Sequence, residues 1–288
     1  MIWLIGKNGM LGKQVAQELK NNDIDFVGTD VETDITDIDQ LISFARDKDI
    51  KWIINASGYT AVDKAEAEEL IAQKVNSVGV GNIAQVADLL GAKVIHFSTD
   101  YVFEGNGTTP YKETDLPHPV SAYGRTKLNG EIELVKNTTK YFIFRISWLY
   151  GIYGANFVKT MIRLFNEKPE LGIINDQVGA PTYTGTLAKN LIKLVKSDSN
   201  EFGIYHYSDE GNISWYDFAV EIRDQGAKKG LCPDSVKLNP ITTDQYPTPA
   251  TRPAYSVFDK AKVQGLGFEL IGWKDNLNTY FEESENIK

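Results

Sequence analysis

The sequence predicts an α/β fold: a doubly wound parallel sheet with a smaller C-terminal region packed beside it. Three observations carry this. Short apolar runs alternate with longer amphipathic segments through the first half, a glycine-rich turn follows the first run, and the rhythm loosens after about residue 150. Strand–helix alternation of this kind buries a parallel sheet on both faces.

In order, Ile2–Ile5 reads as a strand, Met10–Lys20 as a helix, Asp25–Gly28 as a strand and Asp37–Lys48 as a helix. Trp52–Asn55, Lys93–Ser98 and Tyr141–Arg145 are short, apolar and β-branched or aromatic, so they read as further buried strands. The segments Lys64–Leu90 and Ser121–Val135 carry helical periodicity between them. Beyond residue 150, Asn156–Asn166, Thr184–Lys196 and Trp215–Lys229 read as helices and Gly203–Tyr207 as a strand. Leu238–Pro253 contains Pro240, Pro247, Pro249 and Pro253, which points to extended loop. The expected division is a dinucleotide-binding unit over 1–150 and a mainly substrate-binding region over 151–288, with room for the chain to return to the sheet.

Composition narrows the classes of function. The chain has 288 residues, 42% of them hydrophobic and 24% charged, as soluble globular proteins do. No apolar run approaches the ~18 residues of a membrane span, and MIWLIGKNG has no basic segment ahead of its apolar run, so a secretory signal is not expected. A bacterial-type cytoplasm is the natural compartment. The single Cys232 permits no internal disulfide, and His96, His118 and His206 are scattered, so no metal site is expected. A net charge of −9 disfavours nucleic acid as a partner, because neutralising phosphates needs a basic face.

Gly6-Lys7-Asn8-Gly9-Met10-Leu11-Gly12 opens the first predicted helix directly after the first strand. Glycines there permit a tight turn and let backbone N–H groups approach a pyrophosphate at the helix N-terminus, the Rossmann arrangement. The turn could also serve only tight strand–helix packing. Asp30 follows the second apolar run, where a carboxylate accepts hydrogen bonds from an adenosine ribose and repels a 2′-phosphate; Lys7 could offset that repulsion. NADH and NADPH both remain open. Asp34 and Ile35 could flank the adenine, or Asp34–Asp37 could be a plain helix cap.

Tyr123 and Lys127 have the Y-x-x-x-K spacing on a predicted helix, which sets them on one face about 5–6 Å apart. A cation ~5 Å away at an effective dielectric of ~20 contributes roughly 3 kcal/mol, enough to lower a phenol pKa by about two. Tyr123 is then expected to give a proton to a carbonyl oxygen as hydride reaches the carbon. Thr99, in Ser98-Thr99-Asp100-Tyr101, ends the Lys93–Ser98 strand, the end at which open α/β sheets bind ligands. Its hydroxyl can hold the reacting oxygen near Tyr123, and Asp100 can bind a substrate hydroxyl. The same residues could merely cap the following turn.

Together these blocks resemble the extended short-chain dehydrogenase/reductases. The resemblance runs through GKNGMLG (6–12), NASGYTAVDKAE (55–66), STDYVFEG (98–105), YGRTKLNGE (123–131), RISWLYG (145–151), NFVKTM (156–161), INDQVGAPT (174–182) and TPATRP (248–253). It implies Thr99, Tyr123 and Lys127 as the catalytic triad, with Lys127 also holding the nicotinamide ribose. It implies cofactor contacts at Gly9, Met10, Leu11, Asp30, Asp34, Ile35 and the Ser57-Gly58-Tyr59 loop. Asp100 and Trp148 would touch a sugar, while loops containing Asn175 and Arg252 would close over a nucleotide diphosphate; a structural salt bridge is the other reading of Arg252. The implied reaction is reduction of the 4-keto group of a dTDP-linked 4-keto-6-deoxysugar, dTDP-4-dehydro-β-L-rhamnose, to dTDP-L-rhamnose. Where some family members bridge subunits through magnesium and carboxylates, this sequence has Gln14 and Thr186, so the metal is not carried over. The oligomeric state stays open, a homodimer included.

Three rivals bear comparison. A 4,6-dehydratase needs an Asp–Glu pair where this sequence has Asp100-Tyr101. A 4-epimerase would share the triad and retain its nicotinamide tightly. A non-catalytic NADP-binding regulatory subunit has no need of an intact Thr99, Tyr123 and Lys127.

Overall fold

The computed structural model describes residues 1–285. Its centre is a six-stranded parallel sheet of β1 (Ile2–Ile5), β2 (Phe26–Thr29), β3 (Trp52–Asn55), β4 (Lys93–Thr99), β5 (Tyr141–Ile146) and β6 (Gly203–Tyr207). The strand order is β2-β1-β3-β4-β5-β6, so the chain reverses direction across the sheet between β1 and β3. Such a reversal leaves a crevice at the carboxyl ends of the strands.

Side-chain alternation decides what each face buries. Ile2 and Leu4 of β1 join Leu11, Val15 and Leu19 of α1 (Met10–Asn21) on one face. Trp3 and Ile5 point the other way, into a core with Leu41 of α2 (Ile38–Ala45), Ile83 and Ala87 of α3 (Gly79–Leu90), and Leu134 of α4 (Ala122–Asn137). Both cores exclude water, and each large aliphatic side chain so buried contributes roughly 1.5–3 kcal/mol. After α5 (Phe157–Glu167), α6 (Thr184–Ser197) returns to pack on α1, and β6 pairs with β5. Residues beyond 150 therefore complete the sheet as well as forming the second region.

That region has its own core, in which Met161 and Phe165 of α5 meet Phe218 and Ile222 of α7 (Trp215–Lys228) and Leu277 and Phe281 of α8 (Trp273–Glu285). Three short strand pairs connect it. Leu149–Tyr150 pairs with Thr182–Tyr183, Val178–Gly179 with Ile213–Ser214, and Glu170–Ile174 with Lys237–Ile241.

Two sequence expectations are corrected. Lys64–Leu90 is not one helix: Val62–Ala65 and Glu69–Gln73 are followed by a π-helical turn, Lys74–Val78, before α3. Asn76 lies in that turn, and its side chain is tied to Tyr59 and Thr126, contacts that no helical periodicity encodes. Nor is Leu238–Pro253 all loop, since Lys237–Ile241 is a strand despite Pro240. A two-stranded ribbon leaves one edge of each strand unpaired, which is where a residue without N–H is tolerated. Among the described residues, no helix is long and apolar enough to cross a membrane.

Candidate active site

The glycine turn does what its position requires. Gly6 has φ +77°, and a Cβ on Gly12 would lie 2.0 Å from the Gly6 carbonyl oxygen, so only glycines let α1 start this close to β1. Gly9 caps α1 without a side chain, and the first turn carries no acid. Its free N–H groups and the positive end of the helix dipole suit an anion. At the end of β2, the Asp30 carboxylate accepts from the Asn8 N–H (2.8 Å) and the Val31 N–H (3.0 Å). Lys7 reaches Glu32 (2.8 Å) and the Gly28 carbonyl (3.1 Å), so a cation and a carboxylate stand together where a ribose would lie.

A cavity of about 470 Å³ is lined by Gly6, Gly9, Asp30, Asp34, Ile35, Ser57 and Gly58. It shares Gly9, Ala56, Ser57 and Gly58 with a second cavity of about 380 Å³, so the two form one groove across the carboxyl ends of the strands. The second is lined by Met10, Leu11, Thr99, Asp100, Tyr123, Lys127 and Trp148 among others. Gly12 is spent on packing against Gly6. Tyr59 lines neither cavity; its phenol bonds Glu68, while its backbone is held by Asn76 at 2.8 and 3.1 Å. Asn76 is thus a supporting residue that the sequence reading missed, and an asparagine among the apolar residues of a helical stretch was its only signal.

Helix α4 delivers Tyr123 and Lys127. Ser121 caps it by accepting from the Gly124 N–H, and Glu66 accepts from the Ala122 N–H at 2.8 Å. A Cβ on Gly124 would lie 2.2 Å from the Tyr101 carbonyl oxygen, so glycine sets how closely the helix approaches the end of β4. Four residues past Lys127, Glu131 accepts a hydrogen bond from Ser98 and two from Arg145 of β5 (2.9 and 2.7 Å), all buried.

The protonation states differ from the sequence expectation. Lys127 does not hold the Tyr123 phenol down. Tyr123 keeps part of its ring open to the cavity, but its hydroxyl sits deep enough that burial pushes its pKa up to about 12, against the opposing pull of the Thr99 hydroxyl. Burial also lowers Lys127 to about 8, and its ammonium donates to the Phe97 carbonyl at 2.6 Å. Desolvation is the largest influence on both groups. Asp100 is raised by burial to about 6. One of its oxygens accepts from Thr99 at 3.0 Å, and the Ser256 hydroxyl beside the carboxylate also favours its charged form. Tyr101 sets its ring edge against Tyr123, 5.5 Å between centroids, at the position a dehydratase would give to glutamate.

Two residues expected at a nucleotide diphosphate are engaged elsewhere. Asn175 accepts from Ser214 at 3.0 Å and lines neither part of the groove. Arg252 makes a two-pronged pair with Asp63 (3.1 and 2.9 Å), the salt bridge that was the other reading of this residue. It also borders a third cavity of about 620 Å³, walled by Phe157, Leu164, Gln177, Trp215 and Tyr246.

A glycine turn at the first strand, a strand-end threonine and a helix-borne Tyr–Lys pair in one groove define a short-chain dehydrogenase/reductase-type site. Residues 1–286 match the family model described as RmlD substrate binding domain, and the chain belongs to that family. It is 42% identical to a dTDP-4-dehydrorhamnose reductase of Escherichia coli (strain K12), over 98% of this chain and 97% of the relative. Among solved structures it is similar to a dTDP-4-dehydrorhamnose reductase of Clostridium acetobutylicum ATCC 824, with TM-score 0.92, 39% identity and 99% of each chain covered. It is also similar to one from Bacillus anthracis str. Ames in complex with NADP, with TM-score 0.91, 38% identity and 98% of each chain covered.

Proposed function

We propose that this protein reduces the 4-keto group of dTDP-4-dehydro-β-L-rhamnose to dTDP-L-rhamnose at the expense of NADPH or NADH. The observation that carries this is the convergence of Thr99, Tyr123 and Lys127 on a cavity continuous with the glycine-turn groove. Relatives about 40% identical over nearly the whole chain are named for that reaction.

The reduced nicotinamide would supply hydride to the carbonyl carbon. Gly9, Met10 and the start of α1 would hold its diphosphate, Asp30 and Lys7 its adenosine ribose, and Ser57 and Gly58 the floor of the groove. Thr99 turns its hydroxyl from Asp100 to the ketone oxygen and holds that oxygen against Tyr123. Tyr123, whose high pKa keeps it protonated at neutral pH, gives that oxygen its proton. Lys127 stabilises the phenolate left behind. Asp100, which lines the same cavity, accepts from a sugar hydroxyl, and Trp148 faces the sugar ring. The cavity beside Phe157 and Tyr246 takes the nucleoside. The reading assigns residues 1–150 mainly to the cofactor and 151–288 mainly to the sugar nucleotide. It also includes a cytoplasmic homodimer, which gel filtration of the 32.2 kDa chain would test.

The decisive assay offers dTDP-4-keto-6-deoxyglucose with a 3,5-epimerase and follows loss of reduced nicotinamide. Stoichiometric oxidation with formation of the 4-hydroxyl sugar is expected. Tightly retained NAD without net oxidation would instead identify a 4-epimerase.

A further inference from the structure

Trp148 has a left-handed backbone, φ +46°, rare for a bulky residue. Such strain persists only where the surroundings over-determine it. The Ser147 carbonyl accepts from the Thr182 hydroxyl at 2.7 Å, and the Trp148 carbonyl accepts from the Thr182 N–H at 3.2 Å. Ser147 in turn donates to the Ala180 carbonyl at 2.6 Å. The indole lies against Gly179 of the antiparallel ribbon Val178–Gly179/Ile213–Ser214. Gly179 leaves space for it, since a Cβ there would come within 2.9 Å of two indole carbons. Trp215, the next residue after the ribbon's second strand, stacks on it with centroids 3.7 Å apart and planes 14° from parallel. Phe157 braces Trp215 from α5 at 4.7 Å.

The pair stands between two cavities. Trp148 lines the one that holds Thr99 and Tyr123, and Trp215 lines the larger one beside Phe157 and Tyr246. We infer that Trp215 is a positioning residue for the reduction: its stack on Trp148 fixes the wall that sets the ketosugar ring against Tyr123 while the nucleotide lies beyond the pair. The inference rests on the proposed function, because it needs a substrate that spans both cavities. Hydride transfer is sensitive to displacements of about 1 Å, so a wall free to tilt would cost turnover more than cofactor binding.

The test compares Trp215→Phe with Trp215→Leu, which separates a stacking ring from apolar bulk. Wild-type turnover of the nucleotide ketosugar is measured first; its absence would overturn the proposed function and this inference together. Given turnover, Trp215→Leu should lose about tenfold or more in kcat/KM, mainly in kcat, with cofactor affinity unchanged. Its circular dichroism should lose the tryptophan exciton couplet. Trp215→Phe should lose the couplet too, yet stay within about threefold of wild-type turnover, because a ring remains to stack. Unchanged kcat/KM in Trp215→Leu, a loss confined to KM as expected of a nucleoside contact alone, equal losses in both variants, or a matching loss of cofactor affinity would overturn the inference and leave the proposed function standing.

Discussion

Arg145 donates two hydrogen bonds to Glu131, at 2.9 and 2.7 Å, and both side chains are 3% exposed or less. The pair joins β5 to α4, the helix that carries Tyr123 and Lys127. Ser98, next to Thr99, bonds the same carboxylate, so one buried anion ties both halves of the triad together. His206 lies 3.5 Å from the guanidinium on the neighbouring strand, and Phe103 covers it.

Glu131→Gln leaves the Arg145 charge buried without its counterion, which typically costs about 3–5 kcal/mol. Urea unfolding should show a loss of that size. Glu131→Leu combined with Arg145→Met should recover part of it, since the buried cation then leaves with its partner. A loss below about 1 kcal/mol in the single variant would show that the pair contributes little.

Tyr123→Phe removes the proton donor and nothing that the glycine turn uses. Turnover should fall by about 10² to 10⁴, the range for losing a general acid. Titration with NADPH should give an unchanged affinity. Near-normal turnover would remove Tyr123 from the reaction.

The pH profile should reflect Lys127, not Tyr123. With its phenol near 12, Tyr123 stays protonated across the neutral range, so its own ionisation gives no limb there. Lys127 near 8 loses its charge as pH rises, and the phenolate formed during reduction loses its stabilising cation. The groups facing it are His96, held neutral by burial, and Glu131, which favours its charge. We expect kcat/KM to fall above about pH 8 with the slope of one proton. A profile flat to pH 10 would sink that role.

His206 makes a separate prediction about stability. Burial, with Arg145 adding to it, lowers its pKa from 6.5 to about 3. A depressed folded-state pKa gives stability that is present above 6.5 and is lost as pH falls through 3. In that window the unfolded chain takes up a proton that the folded chain refuses. Wild type should therefore lose about 1.4 kcal/mol per pH unit relative to His206→Gln between pH 6 and 4. Asp100, raised by burial, titrates with the opposite sign in both proteins and cancels in the difference. Parallel stability curves for the two would contradict it.

Tyr123, Lys127 and Thr99 were legible because their spacing and strand-end position are local patterns. The break in Lys64–Leu90 was not. The π-helical turn there holds Asn76 against Tyr59 and Thr126, contacts made across the fold, while the residues themselves still alternate as a helix does. Lys237–Ile241 was hidden in the same way, since its strand character comes from pairing with Glu170–Ile174, far away in sequence. Arg252 resembled a phosphate ligand, and only folding brought Asp63 within reach of it.

The alternation of strands and helices, the glycine turn that opens α1 and the Tyr123–Lys127 face of α4 are written in the residues alone, because each depends on neighbours within a few residues. Tertiary packing sets how those groups titrate. Burial reverses the effect expected of Lys127 on Tyr123, and burial is a property of the whole packed chain. It also decided that Trp215 lies flat on Trp148, since only the ribbon of Gly179 and Ser214 brings two rings so far apart in sequence to 3.7 Å.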